Sequence, residues 1–201
     1  ENYKKIKAVI GPKVKMMAMV KAFGYGSGSV EVARILQFHH VDYLSVAYAD
    51  EGVALRQAGI HVPIMVMNVD ETTFDTLVKY HMEPEIFSFS LYQQFNDYIK
   101  NQAISNFPIH IKLNTGMNRL GFDMDTIENL CGLLQSNSHL KVQTIFSHLS
   151  GSGNKTLENF THQQLDLFNT AAAKIETALG YTTLKHIANS DAILLAPIFH
   201  L

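Results

Sequence analysis

Seven short apolar runs, separated by segments whose apolar residues recur at helical spacing, leave this chain few ways to fold. The runs cover residues 16–20, 42–47, 64–68, 85–89, 108–114, 142–148 and 184–190. Between them the spacing predicts helices over 30–38, 49–58 (stopped by Gly59), 72–80, 91–101, 124–135 and 157–179, after an opening helix over 1–10 closed by Gly11-Pro12. A nearly continuous apolar run bounded by turn residues reads as a buried parallel strand. Strand and helix in strict alternation call for a parallel sheet. With no long crossover to reverse the direction of winding, a barrel or a singly progressing open sheet remains, and seven units favour the barrel. The expected class is therefore α/β, a (β/α)8 TIM-type barrel. Since a complete one takes about 250 residues, a chain of 201 is expected to hold an incomplete barrel of about seven units.

Composition narrows the function. With 47% hydrophobic and 17% charged residues the chain has enough apolar side chains for one sizeable core, so residues 1–201 are expected to form a single domain. A net charge of −2 without any Lys/Arg block excludes a nucleic-acid footprint, and no apolar run approaches membrane-spanning length. The lone Cys131 rules out an internal disulfide and fits a reducing cytosol; no Cys/His spacing suggests a metal. Nothing at the front has the character of a signal peptide. The opening at Glu1 inside a predicted helix, and the end at Leu201 after an apolar stretch, read as those of an excised piece.

In a barrel the functional residues sit at the C-terminal ends of strands, and Lys21, Asn114 with its following loop, His148 and Ser190 all fall there. Lys21 leaves the apolar run Met16-Met17-Ala18-Met19-Val20 and enters a turn with three glycines, Gly24, Gly26 and Gly28. Desolvation at such a place lowers a lysine pKa, and a lysine that is neutral part of the time attacks an aldehyde to form a Schiff base. The glycines let backbone approach a ligand closely, and free N–H groups ahead of a helix starting near Ser29 suit a phosphate, to which Tyr25 adds a hydroxyl. The pattern alone also describes a solvated lysine at a strand edge. The string from Met19 to Gly28, however, resembles the cofactor-lysine segment of the fold-type III pyridoxal-phosphate enzymes, specifically the alanine racemase family, which usually reads V-K-A-N-A-Y-G-H-G. The lysine, the tyrosine and two glycines are kept; Phe23, Gly24 and Ser27 depart.

Three further segments carry the same resemblance. Lys112-Leu113-Asn114-Thr115-Gly116-Met117-Asn118-Arg119-Leu120-Gly121 resembles K-x-D-T-G-M-x-R-x-G, with Asn114 in place of the aspartate. It implies Arg119 beside the cofactor's phenolic oxygen and the substrate carboxylate, where a planar fork of donors suits an anion, and Met117 as a further contact. Lys112 would steady Arg119 once carbamylation had turned its cation into an anion. Without the resemblance, Asn-Thr-Gly is a turn and Arg119 a surface residue. Ser147-His148-Leu149 resembles S-H-[FL] and implies His148 near the pyridine ring in a supporting position, although a histidine ending an apolar strand also serves as a structural residue. Gly151-Ser152-Gly153 is a weak phosphate signal. His186-Ile187-Ala188-Asn189-Ser190 resembles H-x-x-N-S, implying Asn189 and Ser190 as cofactor-binding, the serine hydroxyl on the phosphate. Ser190 as N-cap of a following helix is compatible with that. Asp50-Glu51 reads as an acidic helix start favoured by the macrodipole, and the other nine histidines, including the His39-His40 pair, as solvated.

Taken over nearly the whole chain, the resemblance implies most of the barrel domain of a cytoplasmic, homodimeric isomerase that uses pyridoxal 5'-phosphate to interconvert L- and D-alanine for peptidoglycan synthesis. Lys21 would anchor the cofactor and act as one of two bases. The other, a tyrosine of a C-terminal β-domain reaching across the dimer, and the eighth strand would lie outside these 201 residues. The piece alone is then expected to be inactive and to cover its open strand edges through a neighbouring chain or a rearranged terminus. A non-catalytic pyridoxal-phosphate homeostasis barrel is disfavoured by the Arg119 segment and the Y-G-x-G turn. A generic phosphate-binding barrel, a broader amino-acid racemase and fusion behind a Mur ligase stay open.

Overall fold

A computed structural model describes all residues, 1–201. The chain packs as two compact units, Glu1–Glu85 and Ile86–Leu201. The first opens with the helix Asn2–Ile10 and carries β1 (Met17–Met19), β2 (Tyr43–Val46), β3 (Ile64–Val66) and β4 (Glu83–Ile86), the boundary falling in β4. Consecutive strands pair in parallel, Met17 opposite Tyr43, Leu44 opposite Ile64 and Met65 opposite Glu83. The connecting helices are Ser29–Phe38, Ala49–Gln57 and Phe74–Lys79. In the second unit β5 (Phe107–Lys112), β6 (Leu140–Phe146) and β7 (Leu184–His186) again pair in parallel and in chain order, with a register shift between Ile109 and His110. Its helices are Phe89–Asn101, Ile127–Gln135, Glu158–Leu179 and Ser190–Leu195. No helix is long and apolar enough to cross a membrane.

The central strands are buried as near-continuous apolar runs should be. Leu44, Val46, Ile64 and Val66 of the strands and Leu55 and Leu77 of the helices are fully inaccessible in the first unit, as are Ile109, Ile111 and Ile145 of the strands and Phe95, Leu130 and Phe168 of the helices in the second. Two strands depart from expectation: β1, read as a buried strand, and β7 are half-buried at every residue. Each stands at an end of the strand order with a neighbour on one side only, so it has less to pack against.

Two boundaries also shift, both because a polar side chain captures a helix start. Residues 85–89 were expected as strand, but β4 runs Glu83–Ile86 with Pro84 inside it, and Ser88 ends the extended stretch by accepting the Leu91 amide at 3.3 Å as N-cap of Phe89–Asn101. Residues 184–190 likewise shorten to Leu184–His186. There the cap is Asn189, whose Oδ1 accepts the Ala192 amide at 3.0 Å, and Ser190 is the first helical residue instead of the cap. The Asn189 carboxamide also accepts Ser152 Oγ at 2.8 Å and donates to the Leu149 carbonyl at 3.1 Å, a simultaneous accepting and donating role across two loops that suits a carboxamide.

Candidate functional site

In the first unit the backbone beyond β1 is unusual. Ala22, Phe23, Gly24 and Tyr25 have φ of 51°, 56°, 60° and 53°, four successive left-handed residues. Outside glycine that conformation costs roughly 1–2 kcal/mol per residue, so it persists only where it is tied down. Val20, fully buried, donates to the Ser45 carbonyl at 2.9 Å, and its own carbonyl accepts Ser29 Oγ at 2.8 Å and the Gly24 amide at 3.2 Å. The Phe23 carbonyl accepts the amides of Gly26 and Gly28 at 3.1 and 2.9 Å. Glycine suits position 24, where a Cβ would stand 3.2 Å from the Ser29 nitrogen, a tight contact with backbone.

Glu51 completes the tie. One carboxylate oxygen accepts the Ala22 amide at 2.7 Å and the other the amides of Ala47 at 2.7 Å and Tyr48 at 3.2 Å. Asp50-Glu51 is thus more than an acidic helix start: Glu51 binds that start to the Lys21 turn. The turn presents Lys21 half-buried, not desolvated as a buried strand end would make it, and Tyr25 67% exposed, both with their polar heads unpaired.

In the second unit the loop after β5 is closed by Asn114 and Phe122, whose amide and carbonyl meet at 2.9 Å while the Phe122 amide reaches the Lys112 carbonyl at 2.9 Å. The Asn114 side chain fills the loop. Its oxygen accepts the amides of Gly116 (3.2 Å) and Asn118 (2.9 Å), and its nitrogen donates to Asn118 Oδ1 (3.1 Å) and Asp123 Oδ1 (2.7 Å). An aspartate would supply the two acceptor bonds but neither donor bond. The loop carries Arg119 into solvent with no hydrogen bond or ion pair and holds Met117 half-buried.

This loop is joined to the two that follow β6 and β7. Thr115 Oγ1 and Ser147 Oγ are 2.8 Å apart, and Ser147 Oγ donates to the Leu113 carbonyl at 2.8 Å. Gln164, fully buried, donates to Thr115 Oγ1 (3.4 Å) and the His148 carbonyl (3.2 Å) and accepts the Ser150 amide (3.0 Å). His148 itself is half-buried. Through Ser152, Asn189 ties the third loop to the second, and Ser190 keeps an exposed, unpaired hydroxyl. Gln164 and the tie from Glu51 to the Lys21 turn escaped the sequence reading, which gave Glu51 only as part of a helix start; the available signal for Gln164 was a polar residue beside the apolar stripe Leu165, Phe168, Ala172 of its helix.

In the same unit a polar cluster around the buried His110 and the half-buried His186 corrects the expectation that these two histidines are solvated. His110 is fully buried, its Nδ1 2.8 Å from Thr144 Oγ1, which lies 3.3 Å from His186 Nε2. The His186 ring stacks on Phe146 at 4.7 Å, and desolvation, then His110, then Lys112 push its pKa down to about 3. Strand pairing of β5, β6 and β7 creates this cluster by setting His110 opposite Thr144 and His186 opposite Phe146, two residues further along β6. Lys112, 3% exposed, holds its ammonium 5.0 Å from the Phe146 ring centre. In chemical type the unpaired heads of each unit suit groups that pyridoxal phosphate carries: in the first the Lys21 amine suits an aldehyde and the Tyr25 hydroxyl anionic oxygen, and in the second the Arg119 guanidinium and the Ser190 hydroxyl suit anionic oxygen.

Residues 1–201 match the family described as the alanine racemase N-terminal domain. The chain is 33% identical over 202 residues to an alanine racemase of Synechocystis sp., covering 99% of this chain and 54% of that protein. It is 36% identical over 195 residues to one of Thermodesulfovibrio yellowstonii, covering 96% and 52%. Among solved structures, the alanine racemase of Clostridium difficile 630 superposes with a TM-score of 0.92 at 28% identity, over 100% of this chain and 52% of that one. That of Corynebacterium glutamicum gives 0.89 at 26%, over 99% and 56%. The chain spans about half the length of the curated relatives it matches. A likeness this close over the whole chain bears out the expected class, an incomplete α/β barrel of the TIM type.

Proposed function

This chain belongs to the alanine racemase N-terminal domain family, and from that premise we propose that it is the pyridoxal-phosphate-binding barrel domain of an enzyme that interconverts L- and D-alanine. The observation that carries the reading is a division among the side chains. Of the residues expected to meet cofactor and substrate, Lys21, Tyr25, Arg119 and Ser190 keep their polar heads unpaired, whereas Asn189, also expected to bind cofactor, joins Asn114, Ser147 and Gln164 in hydrogen bonds that hold the loops. Free heads on braced loops are what a ligand site requires.

On this reading Lys21 binds the cofactor aldehyde through its amine and, once released, moves the substrate α-proton on one face. Arg119 receives anionic oxygen with a planar pair of N–H donors, beside Met117. Tyr25 and Ser190 donate to the phosphate, Asn189 holds the backbone that presents Ser190, His148 supports the ring side of the site, and a carbamylated Lys112 steadies Arg119. When bound, pyridoxal phosphate supplies the electron sink that makes the α-proton acidic. The second base, the rest of the barrel and a C-terminal β-domain come from the remainder of a longer homodimeric enzyme, which works in the cytoplasm and feeds D-alanine to peptidoglycan.

The test is the formation of D-alanine from L-alanine by the whole enzyme, read with a D-amino-acid oxidase couple. Steady racemisation that Lys21→Ala abolishes is the expected result. Cofactor binding with no D-alanine formed overturns the reading in favour of a non-catalytic cofactor-binding barrel.

A further inference from the structure

The direction in which a side chain leaves the backbone is set by the two peptide planes on either side of its Cα. At Lys21 both are held. The plane before it is fixed through the Val20 carbonyl, which accepts Ser29 Oγ and the Gly24 amide at 2.8 and 3.2 Å. The plane after it is fixed through the Ala22 amide, and that group's partner is Glu51, 29 residues away, at 2.7 Å. Lys21 has no hydrogen bond or ion pair of its own, so nothing at the far end of its side chain sets its aim.

We propose that Glu51 is the positioning residue for Lys21: its carboxylate clamps the Ala22 amide to the start of the helix Ala49–Gln57 and so fixes the left-handed turn that directs the lysine amine at a carbonyl ligand. The proposal rests on the reading of Lys21 as the cofactor lysine. The clamp has a rigid base, because the second oxygen of Glu51 accepts the amides of Ala47 and Tyr48 at 2.7 and 3.2 Å, directly beyond β2, and β2 is the strand that pairs with β1. Three N–H donors converge on one side chain, which a carboxylate accepts with short charge-assisted bonds. A glutamine has one acceptor oxygen and must turn its own N–H groups towards either Ala22 or the helix start. The left-handed φ values at Ala22, Phe23 and Tyr25 explain why a clamp is required, since those residues relax to ordinary backbone when released.

The experiment uses the whole enzyme freed of cofactor, mixed with pyridoxal phosphate and a brief pulse of borohydride. Pyridoxyl attachment at Lys21 is followed by peptide mass, and exchange of the Ala22 amide by deuterium uptake. Two variants are compared: Glu51→Gln, and an enzyme in which Ala22 is replaced by its α-hydroxy analogue, which removes that one N–H and leaves Glu51 on the helix start. Ser88→Ala, a helix cap in the other unit, controls for general loss of stability. Attachment about tenfold slower in both variants and normal in Ser88→Ala, with faster Ala22 exchange in Glu51→Gln, is the expected result. If Glu51→Gln does not fold, the Ala22 analogue decides alone. Unchanged attachment in either folded variant, or an equal slowing in Ser88→Ala, overturns the role of Glu51. No attachment at Lys21 in the unaltered enzyme overturns the assignment of the lysine itself.

Discussion

The imidazole of His186 is held neutral down to a pKa of about 3 by desolvation, His110 and Lys112. In the unfolded chain it titrates near 6.5. Between those values the unfolded state binds a proton that the folded state refuses, so stability falls as pH falls, by up to about 1.4 kcal/mol per pH unit. Replacing His186 by asparagine is expected to flatten urea-unfolding stability across the mildly acidic range; a slope equal to that of the parent would assign the pH dependence elsewhere. Arg119 makes the opposite kind of prediction. Exposed and unpaired, it contributes little to the fold, so Arg119→Lys is expected to move stability by less than about 0.5 kcal/mol while slowing racemisation about tenfold or more, because an ammonium cannot offer a planar pair of donors. The measurement is a paired melt and rate, and a variant as fast as the parent would make Arg119 a surface residue.

Loops and helix starts hold the candidate residues more than the strands do. Gly121 has a φ of 123°, and a Cβ there would lie 2.6 Å from the Asn114 nitrogen and 2.7 Å from the Leu113 carbonyl carbon. Both are backbone atoms of the segment that closes the Arg119 loop, so neither yields cheaply. Gly121→Ala is expected to cost about 2–4 kcal/mol, read as a lower urea midpoint, and to release Arg119 from its loop; a midpoint like the parent's would mean that the loop adjusts freely. At the far end of the same unit, Glu176 ties its helix to β7 by accepting Lys185 at 3.0 Å and the Thr183 amide at 2.7 Å. Desolvation works against its charge, but the bonds from Thr183 and Lys185 outweigh it and lower its pKa. That tie is present above the ordinary carboxylate range and is lost as pH falls through the lowered value, adding to the effect of His186.

For the molecule as a whole, the two terminal strands matter most. β1 and β7 each have a strand neighbour on one side and are half-buried throughout, and Leu194, Leu195 and Ile198 near the end of the chain are 71%, 49% and 54% exposed. Unpaired strand edges and exposed apolar side chains favour association. The 201-residue chain prepared by itself is expected to form concentration-dependent assemblies at micromolar concentrations, visible by sedimentation velocity. A single monomeric boundary over that range would show that the edges are protected.

Local pattern was enough for the fold class and for the location of most candidate residues. Alternating apolar runs and helical spacing require parallel β/α units whatever the detail, and Lys21, Arg119, His148 and Ser190 could be singled out as candidates because each lies in a contiguous string. Where the strands at 85–89 and 184–190 end was decided instead by Ser88 and Asn189, since an apolar run does not show which polar residue captures the next helix. Contacts between distant residues were not legible at all. Glu51 meets the Ala22 amide only because β2 pairs with β1, and His110, Thr144 and His186 meet only because β5, β6 and β7 lie side by side. Periodicity reports what each residue does for its own element, while a hydrogen bond across 29 or 34 positions depends on which elements the packed core makes neighbours.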